Sequence, residues 1–348
     1  GSAQACEGGP YRGLVAYGLS DAPLFFGREA AIAAIEGHLQ RGQLTVIQSE
    51  SGAGKTSLLQ AGIAPRLLSG GHLPLILRPY DQSPGVAIKR ALLPEYEQMP
   101  TLARAPLRAF LRQVAAMLGP NRILFIALDQ FEEFFTLLPD AASHRSFIAD
   151  LAECLDDPTL NVRWILALRS DFFGDLAAFR PRIRNPFEND FRLNRLTAQE
   201  TRAIIVGPAA QCGIRLEEKL VDALLADLSQ SDGRISPPQA QLVCLALSNA
   251  YADLKAARPD LPAELTFDLY QREGAARGIL RGHLNRVLIR AFPDAQQRDV
   301  ARQVLTALIS SEQRRIRRAR SVLVAQFAPV HPPLANLDKI LDELVASR

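Results

Sequence analysis

The residues Ser49-Glu50-Ser51-Gly52-Ala53-Gly54-Lys55-Thr56 hold most of the chemistry that can be read from the sequence. Small residues let successive backbone N–H groups curl around a phosphate, the Lys ammonium reaches its terminal oxygens, and a hydroxyl beside it suits Mg2+. The short apolar run Leu44–Gln48 precedes this loop and a helical pattern from Ser57 to Leu68 follows it, so a helix N-terminus backs the phosphate site. ATP or ADP with Mg2+ is the expected ligand. One departure stands out: Ser49 occupies the place where such loops usually begin with Gly.

A second apolar run, Ile123 to Leu128, delivers Asp129 at its end, followed by Gln130-Phe131-Glu132-Glu133. Asp129 is placed to hold Mg2+ with Thr56, and either Glu132 or Glu133 to polarise an attacking water, as phosphoanhydride hydrolysis requires. Spacing alone does not separate the two glutamates. A third run, Val162–Leu168, ends in Arg169-Ser170-Asp171. Ligands of open α/β sheets sit beyond the carboxyl ends of the strands. Arg169 therefore emerges beside the loop and Asp129, either to contact a γ-phosphate or to pair with Asp171 or Glu133.

Positioning these groups requires a parallel sheet. Strands are expected at 44–48, 73–77, 123–128 and 162–168, with a weaker one at 191–196. Helical periods lie between them at about 30–39, 57–68, 84–93, 102–118 and 143–155. This alternation predicts an α/β fold with helices on both faces of the sheet. From Thr197 the period is helical throughout, at 197–210, 216–229, 238–255, 266–280, 282–291, 295–309 and 334–346. The chain has 348 residues, enough for two or three domains, and boundaries are expected near 196 and 281.

The order of motifs resembles that of the STAND class of signal-transduction NTPases, more closely its bacterial "novel STAND" group. The likeness rests on Pro10-Tyr11-Arg12-Gly13-Leu14, on Asp21-Ala22-Pro23-Leu24-Phe25-Phe26-Gly27-Arg28-Glu29, on the loop with Ser57-Leu58-Leu59-Gln60-Ala61-Gly62 after it, on Asp129 to Phe135 and on Leu168 to Phe173. It implies an AAA+-like, P-loop NTPase domain (24–196) behind an N-terminal arm (1–23). A helical lid (197–280) and a partial winged-helix domain (281–348) follow. Carried over, Phe26, Gly27 and Arg28 lie on the base and ribose side, Ser51, Gly52, Ala53, Gly54, Lys55, Thr56 and Ser57 at the phosphates, and Thr56 and Asp129 on Mg2+. Glu132 or Glu133 and Arg169 are the catalytic candidates. Ser236-Pro237-Pro238, with Pro237 the candidate, stands where the lid brings a proline to adenine, or simply starts the next helix. The resemblance also implies slow ATP hydrolysis, a nucleotide state that controls self-oligomerisation, and a role in bacterial defence or regulation. The effector and sensor segments are expected to lie outside this chain.

Two alternatives stay open. The run Arg314-Arg315-Ile316-Arg317-Arg318-Ala319-Arg320 suits a DNA-associated AAA+ ATPase, of initiator or transposition-regulator type, although the net charge of +3 gives little general pull on nucleic acid. A nucleotide-binding module without turnover would fit Ser49. The five histidines lack metal-ligand spacing. Cys6, Cys154, Cys212 and Cys244 are widely spaced, so neither a disulfide nor a zinc site is expected. No apolar run approaches the roughly 18 residues of a membrane span, and a cytoplasmic protein without membrane partners is expected. Only five basic residues are Lys, which leaves Lys55 the first lysine of the chain.

Overall fold

The computed structural model describes residues 6–78, 82–95, 98–138, 141–308, 320–327 and 337–346. The chain divides into two compact units, one ending at Arg272 and one starting at Glu273.

In the first unit, helix α1 (Glu29–Arg41) buries Ile32, Ile35 and Leu39 at helical spacing. Strand β1 (Leu44–Ser49) runs into the loop, and helix α2 (residues 55–69) leaves it, its middle at 58–63 wound as a π-helix. Strands β2 (Leu73–Leu77), β3 (Leu124–Leu128), β4 (Val162–Arg169) and β5 (Asp190–Leu193) complete a five-stranded, all-parallel sheet in the order β2-β3-β4-β1-β5. Helices α3 (Pro84–Leu92), α4 (Pro100–Arg104), α5 (Leu107–Leu118), α6 (Glu132–Thr136) and α7 (Ala141–Leu155) lie between the strands in sequence. The strands alternate faces as period two demands. Val46, Leu124, Ile126, Leu128, Trp164 and Leu166 belong to a core with residues of α3, α5 and α7, whereas Ile47, Phe125, Ala127, Ile165 and Ala167 face α1 and α2. The result is the expected α/β sandwich, helix on both sides.

Helices α8 (Ala198–Gln211), α9 (Glu218–Leu228), α10 (Pro237–Ala257) and α11 (Phe267–Arg272) follow the sheet. Two-residue strands, Arg215–Leu216 and Glu264–Leu265, pair in parallel among them. The second unit comprises α12 (Ala275–Ala291), α13 (Ala295–Ala307), α14 (Arg320–Phe327) and α15 (Leu337–Ala346), around Leu288, Phe292, Val300, Val304, Leu323, Phe327 and Ile340. Among the described residues of this unit all regular structure is helical. Residues 314–319 of the basic run and His331 lie outside the described residues.

The structure departs from expectation in several places. The helix expected at 102–118 breaks at Ala105-Pro106, because Pro disfavours a helical residue before it. The helix expected at 266–280 breaks at Gly274, which takes a left-handed φ of 86° and caps α12. α12 then runs unbroken through 281, and the division between units falls at 272/273 instead. Strand β5 stops at Leu193, and Leu196 bridges Ile235 in the helical part. Contrary to the spacing argument, Cys6 and Cys212 form a disulfide with Cα atoms 5.6 Å apart. Spacing failed because the pair is separated by 206 positions and meets only where the N-terminal segment packs on the end of α8.

Candidate nucleotide-binding site

Because every strand of the sheet is parallel, the carboxyl ends of β1, β2, β3 and β4 share one edge, and the chemistry-bearing residues collect there. β1 is paired with β4, Ser49 opposite Arg169, and β4 in turn with β3, Leu166 opposite Leu128.

The loop after β1 turns through Gly52 (φ 78°) and Gly54 (φ 95°), both in the left-handed region that costs other residues 1–2 kcal/mol. Lys55 opens α2, and its buried Nζ donates to Ser49 Oγ at 2.8 Å, so the residue that replaces the usual Gly holds the ammonium across the loop. Burial pushes the Lys55 pKa down, opposed by the charges of Glu132 and Asp129. A bound polyphosphate would supply the counter-charge that the Ser49 hydroxyl does not.

Thr56 Oγ1 donates to Asp129 Oδ2 at 2.6 Å. Burial raises the Asp129 carboxyl above its usual range, against the lowering effect of the Thr56 bond. A hydroxyl and a carboxylate side by side are hard oxygen donors, the set that Mg2+ prefers. These residues fit a Mg2+–nucleotide ligand, with Lys55 and the loop amides on the phosphates.

Past Asp129 the chain is forced round by Gln130, a non-glycine residue at φ 51°. Phe131 and Phe134, both fully buried and stacked 4.9 Å apart, anchor the start of α6 under the sheet edge. The two glutamates then diverge. Glu132 is buried, and its Oε2 accepts from the backbone N–H of Arg169 at 3.1 Å. Glu133 turns to the rim, where Arg78 at the end of β2 grips both its oxygens, one from Nε at 2.8 Å. That bond is the main reason the Arg78 pKa is raised. Arg169 makes two bonds to Asp171, at 3.0 and 2.7 Å, and lies over the Phe172 ring. It pairs with Asp171 here, not with Glu133.

Arg28 lies behind the loop. It is buried, its pKa lowered by desolvation, and it donates to the carbonyls of Ala53 (2.9 Å) and Asn194 (3.0 Å) while reaching Glu200 at 3.4 Å. Glu200 also closes a capping box with Thr197 at the start of α8. Phe26 and Gly27 pack on the same helix. A Cβ on Gly27 would come within 2.5 Å of the Glu200 carbonyl, and one on Gly207 within 2.6 Å of the Phe26 ring. Ser51 and Gly52 are exposed at the loop tip, whereas Ala53 is buried. Ser57 Oγ accepts from the Tyr17 backbone N–H at 3.1 Å, so its described partner is the N-terminal segment. Pro237 occupies the first position of α10, and Pro238, not Pro237, lies over the loop, 3.3 Å from a Cβ at Gly52. Sequence reasoning missed Arg78 and Glu200. The Thr197-x-x-Glu200 box was visible as a helix start, and Arg78 stands directly after an expected strand. Neither signal says that the residue reaches the site.

A family model described as "Novel STAND NTPase 1" matches residues 10–348. The chain belongs to this family. It is an ATP-binding, STAND-type P-loop NTPase. No curated protein matches the sequence. Among solved structures, it is similar to the Walker-type ATPase PABY2304 of Pyrococcus abyssi (15% identity, 95% of this chain and 91% of that one, TM-score 0.51). It is also similar to the Aeropyrum pernix ORC2 protein in ADPNP–ADP complexes (14% identity, 92% and 85%, TM-score 0.53). A third likeness is to the Aeropyrum pernix ORC1 protein in complex with DNA (15% identity, 94% and 85%, TM-score 0.53). At such identities the likeness is one of fold alone, the parallel α/β architecture already described. No described helix of this novel STAND NTPase is long and apolar enough to cross a membrane.

Proposed function

We propose that this novel STAND NTPase is a nucleotide-controlled switch that binds ATP or ADP with Mg2+, hydrolyses ATP slowly, and self-associates in the ATP state. Residues from Thr197 to Arg272 act as the lid. The observation that carries this reading is the convergence of α8 and α10 on the loop: Arg28 ties the Ala53 carbonyl to Glu200, and Pro238 lies beside Gly52. A change in the phosphates cradled by the loop is thereby transmitted to two lid helices.

Slow turnover is supported by the ion pairs that occupy the catalytic candidates. Mg2+, held by Thr56 and Asp129, would neutralise charge on the phosphates. Lys55 then leaves Ser49 for the phosphate oxygens. Glu132, whose charge acts on Lys55, orients the attacking water, while Glu133 is engaged with Arg78. Arg169 must exchange Asp171 for the γ-phosphate before it contributes.

The test is nucleotide affinity, turnover and particle mass on one set of variants. Lys55→Ala is expected to abolish ATP and ADP binding; undiminished affinity removes the assignment. Glu132→Gln is expected to keep ATP binding and lose about 100-fold in turnover, within the range for a positioned acid–base group, with Glu133→Gln much milder. The reverse ranking transfers the role to Glu133. ATP is expected to raise the particle mass of the unaltered chain but not of Lys55→Ala.

A second reading, contact with duplex DNA, takes support from the fold shared with the DNA-bound ORC1 protein and from Arg314–Arg320. Affinity for duplex that falls steeply with salt would favour it, and no binding at low salt removes it.

A further inference from the structure

The N-terminal segment before α1 is fastened across the lid. The Tyr11 hydroxyl donates to the Ile205 carbonyl in α8. The Arg12 N–H and the Tyr17 hydroxyl both donate to Gln241 Oε1 in α10, at 3.3 and 2.9 Å. Gly13 passes so close to α10 that a Cβ there would lie 2.7 Å from Leu245. The Tyr17 N–H then reaches Ser57, in the first turn of the helix that starts at Lys55. Tyr11 and Tyr17 are buried, and burial raises both phenols, Tyr17 to about 12. One strap thus joins both lid helices to the phosphate-loop helix.

At its far end the strap is held to the C-terminal end of α8 by the Cys6–Cys212 disulfide, which packs with Tyr17, Leu24 and Ala61 of α2. Both cysteines are only half-buried, within reach of small thiols. The other two, Cys154 and Cys244, are free, buried and pushed up to about 12 by desolvation, so they are poor partners for exchange.

We propose that Cys6 and Cys212 are a redox latch: the disulfide holds the strap shut over the lid, and its reduction releases the strap and speeds departure of nucleotide. The effect on nucleotide rests on the lid reading of 197–272; the latch itself does not. Reduction is thiol–disulfide exchange. A thiolate of a low-molecular-weight thiol attacks one sulfur, the Cys6–Cys212 bond breaks and a mixed disulfide forms. A second thiol then displaces the protein cysteine. Two reductant thiols become one disulfide, and Cys6 and Cys212 gain two electrons and two protons; a low-molecular-weight disulfide reverses the exchange. The cross-link matters because it ties residues 206 positions apart, which removes the freedom of detached strap conformations. Without it the strap is held only by non-covalent contacts, its hydrogen bonds and the burial of Tyr11, Tyr17 and Leu24.

The experiment uses the whole chain, equilibrated with oxidised glutathione or with dithiothreitol, and three readouts. Alkylation under denaturing conditions should modify two of the four cysteines after oxidation and all four after reduction, with a Cys6–Cys212 peptide recovered from the oxidised digest. Amide hydrogen exchange over 6–24 and 198–212 should quicken on reduction, and a fluorescent ADP analogue should dissociate about tenfold faster, an ordinary coupling between sites. Cys6→Ser and Cys212→Ser should behave as reduced in both buffers. Failure to recover the cross-linked peptide overturns the latch, as does strap exchange in the unaltered chain that is equal in the two buffers. If the analogue does not bind at all, the proposed function fails while strap exchange still decides the latch. If strap exchange responds but dissociation does not, the inference is overturned in its nucleotide arm.

Discussion

Asp129 shows at the level of one residue how a functional group works against the fold that carries it. It is 5% exposed, and burial raises its carboxyl pKa. The folded chain therefore holds that proton to a higher pH than the unfolded chain does. The stability the proton contributes is complete below the ordinary carboxylate value and is lost as pH rises through the raised folded value. The charged form of this carboxyl, the form that suits Mg2+, carries a desolvation cost that the hydrogen bond from Thr56 offsets only in part. Asp129→Asn keeps an oxygen for Thr56 and removes the charge. It should stabilise the nucleotide-free chain by about 1 kcal/mol, the scale of one such polar imbalance, while Mg2+-dependent turnover is lost. Chemical denaturation at pH 7 without nucleotide checks the first, and a variant less stable than its parent contradicts it. The meeting of Lys55, Thr56, Asp129 and Arg169 at one sheet edge was legible in the sequence, since Asp129 and Arg169 close apolar runs and Lys55 and Thr56 end the small-residue loop that follows another. Their present partners were legible only in part: the pair of Arg169 with Asp171 was one of the readings open to it, whereas Ser49 under Lys55 depends on how the loop folds back and Arg78 on Glu133 joins the ends of two neighbouring strands.

At the level of elements, the sheet was legible because its central strands β1, β3 and β4 are largely buried on both faces, so that β-branched and apolar residues run together in them. β5 was legible only in part: Asp190 and Arg192 interrupt its apolar residues, and the chain leaves it after Leu193, with Leu196 bridging Ile235. What the sequence concealed was how the lid meets the loop, because that contact depends on the absence of side chains. Gly27, at φ 76°, lets the chain pass the Glu200 carbonyl, and Gly207 makes room for the Phe26 ring. Gly27→Ala faces both backbone strain and a contact with main-chain atoms that have nowhere to move. Gly207→Ala keeps an ordinary helical backbone and meets a side chain, the root of the Phe26 ring, which must swing as a whole to make room. We expect Gly27→Ala to cost about 3 kcal/mol and Gly207→Ala nearer 1, the upper and lower parts of the overpacking range. Thermal unfolding of the two variants compares them directly; equal costs would mean that α8 shifts as a body.

Across the whole molecule, every described residue of the candidate site lies in the unit that ends at Arg272, and its parts are scattered from Arg28 to Pro238. An unfolded chain cannot bring these parts together, so nucleotide binds the folded unit alone and stabilises it by mass action. ADP with Mg2+ at 100 times its dissociation constant adds about 2.7 kcal/mol. For a unit of this size each kcal/mol raises the midpoint by roughly 2–4 °C, so the shift should be about 5–11 °C. Lys55→Ala should remove that shift. The variant should nonetheless be no less stable than its parent without ligand, because burial already disfavours the charged ammonium that the substitution removes. A variant that loses the ADP shift and is also markedly less stable on its own would mean that the bond from Lys55 to Ser49 holds the loop together. Lys55 would then be part of the scaffold as well as of the site.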